Sequence, residues 1–138
     1  MSELKNNFIL VHDNNDNSPI VINEKYIIKI YYVDKNETLV CINNNNICDD
    51  DSIKSISINE NPEKVYNQLT KSNYIKVHSI VDNSIIILSI KDIIAVYKDI
   101  DSYSKTVTNI ELCDSTNYGV HESVETVIKL CKGENFNL

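Results

Sequence analysis

His12 and His78 stand 66 positions apart, each closing a short run of alternating apolar residues. Imidazole is the commonest metal ligand and a proton carrier near neutral pH, so a matched pair raises the question of a metal or proton-transfer site. Neither histidine has a second ligand close by in sequence, and a polar contact flanking a turn is the better reading. His121, Glu122 and Ser123 contain the residue types of a catalytic set. Adjacent positions at a strand end point to opposite faces, however, and Glu122 and Ser123 suit a helix start. Asp49, Asp50 and Asp51, with Asp34 and Glu37 nearby in sequence, form an acidic cluster. A calcium loop needs alternating oxygen ligands and a bend-permitting glycine; this run has neither and reads as a solvated loop.

Cys41, Cys48, Cys113 and Cys131 include no C-x-x-C pair, so zinc and dithiol chemistry lack their spacing. Four free thiols in a reducing compartment are expected, with Cys41 on a strand and Cys131 on a helix as small hydrophobes. Gly119 and Gly133 are the only glycines, which excludes a P-loop or a G-x-G-x-x-G turn. The expected site inventory therefore has no catalytic residue, no metal and no cofactor. Single-stranded nucleic acid is a rival ligand, because Tyr26, Tyr31, Tyr32, Tyr97 and Tyr103 offer faces on which bases stack. A net charge of −7, the absence of arginine and the scatter of the lysines weigh against it.

The elements that carry these residues are written twice. DNSPIVINEKYIIKIY at 16–31 returns as DNSIIILSIKDIIAVY at 82–97, and the register holds without a gap from Phe8 on Tyr74 to Tyr31 on Tyr97. Roughly half the aligned pairs are identical, including His12/His78, Ser18/Ser84, Lys25/Lys91 and Tyr31/Tyr97, which points to tandem duplication. Each copy opens with a period-two hairpin, Ile9/Val11 to Ile20/Ile22 and Ile75/Val77 to Ile86/Leu88, around an Asp-Asn-Ser turn. A third strand runs through Ile28/Ile30 and Ile94/Val96. The fourth is TLVCI (38–42) or TNIEL (108–112), and SISI (55–58) or NYGV (117–120) is the last. Asn61-Pro62-Glu63 and Ser123 with Glu125 are helix start signals, and Val65/Leu69 and Val124/Val127/Ile128/Cys131 give each short helix one apolar face.

The fold class predicted is mainly β with short helices (α+β): two tandem copies of an antiparallel β-sheet unit, each closed by a C-terminal helix and both packed as one globule. The predicted limits are a tail over 1–7, units over 8–71 and 72–133, and a tail over 134–138. The units differ at the loops 43–54 and 99–105, and surface loops of this kind often carry partner contacts. MSELKNNFIL is too polar for a signal peptide and no apolar run approaches a membrane span. The cytoplasm of a bacterial host, or a virion, is the expected location. The 22 Ile and 20 Asn reflect AT-rich codons, as in a bacteriophage or a low-GC bacterium.

The second copy, from YIKVHS through DIIAVY and TNIEL to YGVHESVETVIKL, resembles the small flagellar and swarming motility proteins of the FlbD type, whose V-x-E-S-x-x-E-V-I ending is matched by Val120, Glu122, Ser123, Val127 and Ile128, with Glu125 one position ahead of the pattern's second glutamate. The first copy departs from it at Asn61-Pro62. Units of this look are also similar to short proteins of Bacteroides mobile elements and crAss-like phages. The resemblance implies no enzymatic residue set.

SIIILSI (84–90) is apolar on both sides of its strand, and Phe8/Leu10 alternate against Ile9/Val11. One helix per unit cannot cover both faces, so Phe8, Leu10, Ile85 and Ile87 are the candidate interface, toward the other copy or a partner chain. The expected function is a non-enzymatic structural or assembly protein, most concretely virion-associated or head-decorating in a phage. Its partners would be capsid or other virion proteins, or further copies of itself. The alternatives are single-stranded nucleic-acid binding and a motility accessory role; no membrane is expected.

Overall fold

The computed structural model describes residues 7–34, 37–43, 53–100 and 104–133. The chain is mainly β, with three sheets and a few short helices. Its elements run β1 (Phe8–His12), β2 (Pro19–Asn23), a 3-10 turn, β3 (Ile27–Asp34), β4 (Glu37–Asn43), β5 (Ile53–Ile58) and α1 (Pro62–Tyr66). After a linker with a second 3-10 turn come β6 (Tyr74–His78), β7 (Ile85–Ser89), a third 3-10 turn, β8 (Ile93–Ile100), β9 (Thr106–Leu112), β10 (Asn117–Val120) and α2 (Val124–Cys131).

Local chemistry explains the hairpins. In the first, Asp16 accepts from the Ser18 amide and hydroxyl at 2.9 and 2.7 Å, and Asn17 sits at φ 61°. In the second, Asp82 does the same for Ser84 at 3.1 and 2.7 Å, with Asn83 at φ 62°. Asparagine tolerates the left-handed region better than other residues with a Cβ, which accounts for Asp-Asn-Ser at both sites. The helices start as their caps dictate: Asn61 accepts from the Lys64 amide at 2.9 Å ahead of Pro62, and Ser123 from the Thr126 amide at 3.1 Å.

The sheets do not follow the expected unit boundaries. β1–β2 is a two-stranded sheet and β8–β9–β10 a three-stranded one, but the five-stranded sheet runs β5–β4–β3–β7–β6. It joins three strands from the first half to the hairpin of the second. One sheet arrangement per copy was expected. β7 lies between the halves with both faces covered: Ile86, Ile87 and Leu88 are all buried, as in strands packed on both sides.

Two cores result. The first gathers Ile9, Val11, Ile22, Ile30, Val40 and Val65, together with Ile87 from the second half. The second gathers Ile75, Val77, Ile86, Leu88, Ile110 and Val127, together with Ile28 from the first half. In each half the hairpin tip bridges to the last strand, Asp13 to Ile58 and Ser79 to Val120.

The thiols need a correction. Cys41 and Cys131 are free, but Cys113 is disulfide-bonded, so four free thiols are not what the chain holds; Cys48 lies outside the described residues. So do Asp49, Asp50, Asp51, Tyr103 and most of the 43–54 loop. Among the described residues no helix is long and apolar enough to cross a membrane.

Candidate interaction surface

The joint between the halves is built on β3 and β7, which pair antiparallel with Lys29 opposite Leu88, Ile30 opposite Ile87 and Tyr31 opposite Ile86. Ile87 is completely buried there and Ile85 partly so. Of the four candidate interface residues, these two face the other half of the same chain, while Phe8 and Leu10 stay exposed.

Four sets of polar contacts lock this joint. Lys29, buried on β3, meets Asp114 in the β9–β10 turn at 2.9 Å and donates to Thr116 Oγ1 at 3.2 Å. Burial opposes the charge on Lys29, but Tyr118 and Asp114 more than offset it and hold the ammonium well above its ordinary pKa. Glu24, also buried, accepts from Asn7 at 2.7 Å, from the Thr70 amide at 2.9 Å and from Asn73 at 3.2 Å, which ties down the linker. Burial pushes its carboxyl up, and these bonds more than reverse that. The Tyr74 hydroxyl donates to the Glu24 carbonyl at 2.6 Å. Lys76 reaches across to Glu63 at 2.9 Å, its ammonium 5.1 Å from the Tyr66 ring centre.

The outward edges are treated unequally. On β1 the Gln68 amide bonds both the N–H and C=O of Leu10, at 2.8 and 2.9 Å, and Glu60 accepts from the His12 amide at 2.9 Å. β1 is therefore closed to further pairing. Among the described residues no strand pairs with the outer edge of β2 or of β8. Val21 on β2 is 65% exposed and Ile94 on β8 is 62% exposed. Beside β2 runs an apolar groove of about 230 Å³ lined by Ile20, Val21, Ile22, Tyr26, Ile42 and Ile56.

Among the residues singled out for chemistry, His12 and His78 are each held by a glutamate. His12 Nδ1 lies 2.6 Å from Glu60 Oε2, and His78 Nδ1 lies 2.7 Å from Glu122 Oε2. Each carboxylate also accepts from the amide of its histidine, so each clamp fastens the end of a hairpin strand to the residue before a helix cap. No third ligand joins either pair; among the described residues no group of three or more potential metal ligands occurs. Ser123 is occupied as a cap. The clamps went unseen in the sequence because unequal loops put Glu60 48 residues from its histidine and Glu122 44. The available signal was a glutamate immediately before each helix cap.

Burial raises the Glu60 carboxyl, but its bonds to His12 win and leave it below the usual carboxylate range. Such a group stabilises the fold above its unfolded pKa, and the contribution fades as pH falls through the lower folded value. Glu60→Ala should cost about 1–3 kcal/mol at neutral pH, since it strands the His12 amide. In urea titrations the gap to wild type should shrink on acidification below about pH 4.

Comparison with protein-family models, curated proteins and solved structures finds no match for this chain.

Proposed function

We propose that this chain is a non-enzymatic assembly protein, a tandem duplication of one β-unit with a short helix, which meets protein partners through the open edges of β2 and β8. The supporting observation is a contrast between corresponding positions. Val21 and Ile94 are mostly exposed, whereas Ile87 and Ile28, 66 positions later and earlier, are completely buried. Surface of this kind gains about 1.5–3 kcal/mol per large side chain when covered, and unpaired strand edges recruit further strands. The likeness to mobile-element and phage proteins and the Ile- and Asn-rich composition favour a virion-associated or head-decorating setting.

Nucleic acid fits less well. The Tyr31 ring packs 6.4 Å from that of Tyr118 and Lys29 is committed to Asp114, so one of the five candidate stacking tyrosines is already used inside the joint. A lysine-directed cross-linker applied to source cells or particles tests the proposal. Lys25, just after β2, and Lys98, on β8, should link to protein chains. Photo-cross-links from Tyr97 to nucleic acid, with no protein link at either lysine, would overturn it.

A further inference from the structure

We propose that the protein partner is a second copy of this chain, docked head to tail: β8 of one molecule pairs with β2 of the next as β3 pairs with β7 inside each molecule. The proposal rests on the tandem-duplication reading, and the internal joint supplies its template. Moving the observed pairing of Lys29 with Leu88, Ile30 with Ile87 and Tyr31 with Ile86 by 66 positions gives Ala95 opposite Ile22, Val96 opposite Val21 and Tyr97 opposite Ile20 of the second copy. β3 and β8 share a further irregularity: the pairing register with the following strand shifts between Ile27 and Lys29, and again between Ile93 and Ala95. Ile28 and Ile94 therefore occupy the same bulged position.

The socket is present and open. Ile28 belongs to the second core along with Ile86, Leu88 and Leu112, and Tyr31 and Tyr118 pack against that core. The counterparts of Ile86, Leu88, Leu112 and Tyr118 are Ile20, Ile22, Ile42 and Ile56, which line the groove beside β2. Ile94 of a second copy is the matching knob. At the edge of the joint the chemistry changes in the same direction. Internally Lys76 sits against Tyr66; the corresponding pair is Leu10 and Ile128, 48% and 40% exposed. A polar internal contact thus has an apolar counterpart between molecules. Likewise Phe8, 57% exposed, stands where Tyr74 is 4% exposed.

This contact joins two different surfaces, so each added molecule again presents one free β2 and one free β8, and assembly runs to a ring or a filament. Sedimentation velocity on the full chain tests it. Wild type should form species larger than a monomer that grow with concentration. Val21→Lys, which spoils β2, and Ile94→Lys, which spoils β8, should each be monomeric with a cooperative thermal melt. An equimolar mixture of the two variants should give a heterodimer and nothing larger, because one intact β8 and one intact β2 remain. Should either lysine variant lose its fold, Val21→Thr and Ile94→Thr give the same comparison with β-branched side chains.

A monomeric wild type, oligomers unaffected by either substitution, or a mixture that stays monomeric would each overturn the head-to-tail contact. The broader assembly reading fails separately: a monomeric wild type whose Lys25 or Lys98 cross-links to a different protein would leave that reading standing and remove only this interface.

Discussion

Ile87→Lys is expected to leave the chain unfolded, while Val21→Lys, the corresponding change 66 positions earlier, should fold and keep a cooperative melt. Ile87 is completely buried and belongs to the first core although it comes from the second half. Trimming it to alanine alone should cost about 2–5 kcal/mol, the range for large aliphatic side chains in cores. Lysine would place an ammonium among the apolar side chains of the first core, a cost that a stability of about 5–15 kcal/mol for an ordinary domain does not absorb. Ile85→Lys should be milder, since Ile85 is only partly buried. Circular dichroism melts of the three variants read the difference directly. An Ile87→Lys chain that melted with wild type would mean that β7 does not lie between the halves.

Much of the local architecture was legible because it is written locally. Alternation placed Ile9, Val11 and Ile22 inward, the Asp-Asn-Ser triplets marked the turns, and Asn61-Pro62 and Ser123 marked the helix starts. The pairing of β7 with β3 was not legible. Two-faced apolarity in 84–90 says that a strand is covered on both sides, but not by which strand, because partner choice between distant strands depends on non-local packing. Phe8 and Leu10 carry the same alternation, yet within this chain they are exposed. The His-Glu clamps and the joint contacts of Lys29 and Glu24 were missed for a related reason. Each links residues whose separation is set by loops, and loop length carries no periodic signature.

Breaking the Lys29–Asp114 pair from one side should be the costliest polar change in the molecule, about 3–5 kcal/mol for either Lys29→Met or Asp114→Asn. Both side chains are nearly inaccessible, at 7% and 5% exposure, and the pair joins β3 of the first half to the β9–β10 turn of the second. Removing one partner leaves the other charge buried and uncompensated, which is where the cost arises. Changing both, as Lys29→Met with Asp114→Leu, should therefore recover much of the loss, and a double-mutant cycle in urea measures the coupling. Burial pushes Asp114 up, but bonds from Thr116 and the charge of Lys29 hold it below the usual carboxylate range. Its contribution is thus fully present above about pH 4, the unfolded carboxylate value, and declines as pH falls through the lower folded value. Lys29 has the opposite sign: its folded pKa is raised, so its share is present below about pH 10 and is lost only as strong alkali titrates the folded ammonium. Wild type should accordingly lose stability on acidification more steeply than the doubly substituted chain, with the two curves parallel between those limits. Curves that stayed parallel down to about pH 2, below the usual carboxylate range, would show that the ionised pair adds nothing to stability.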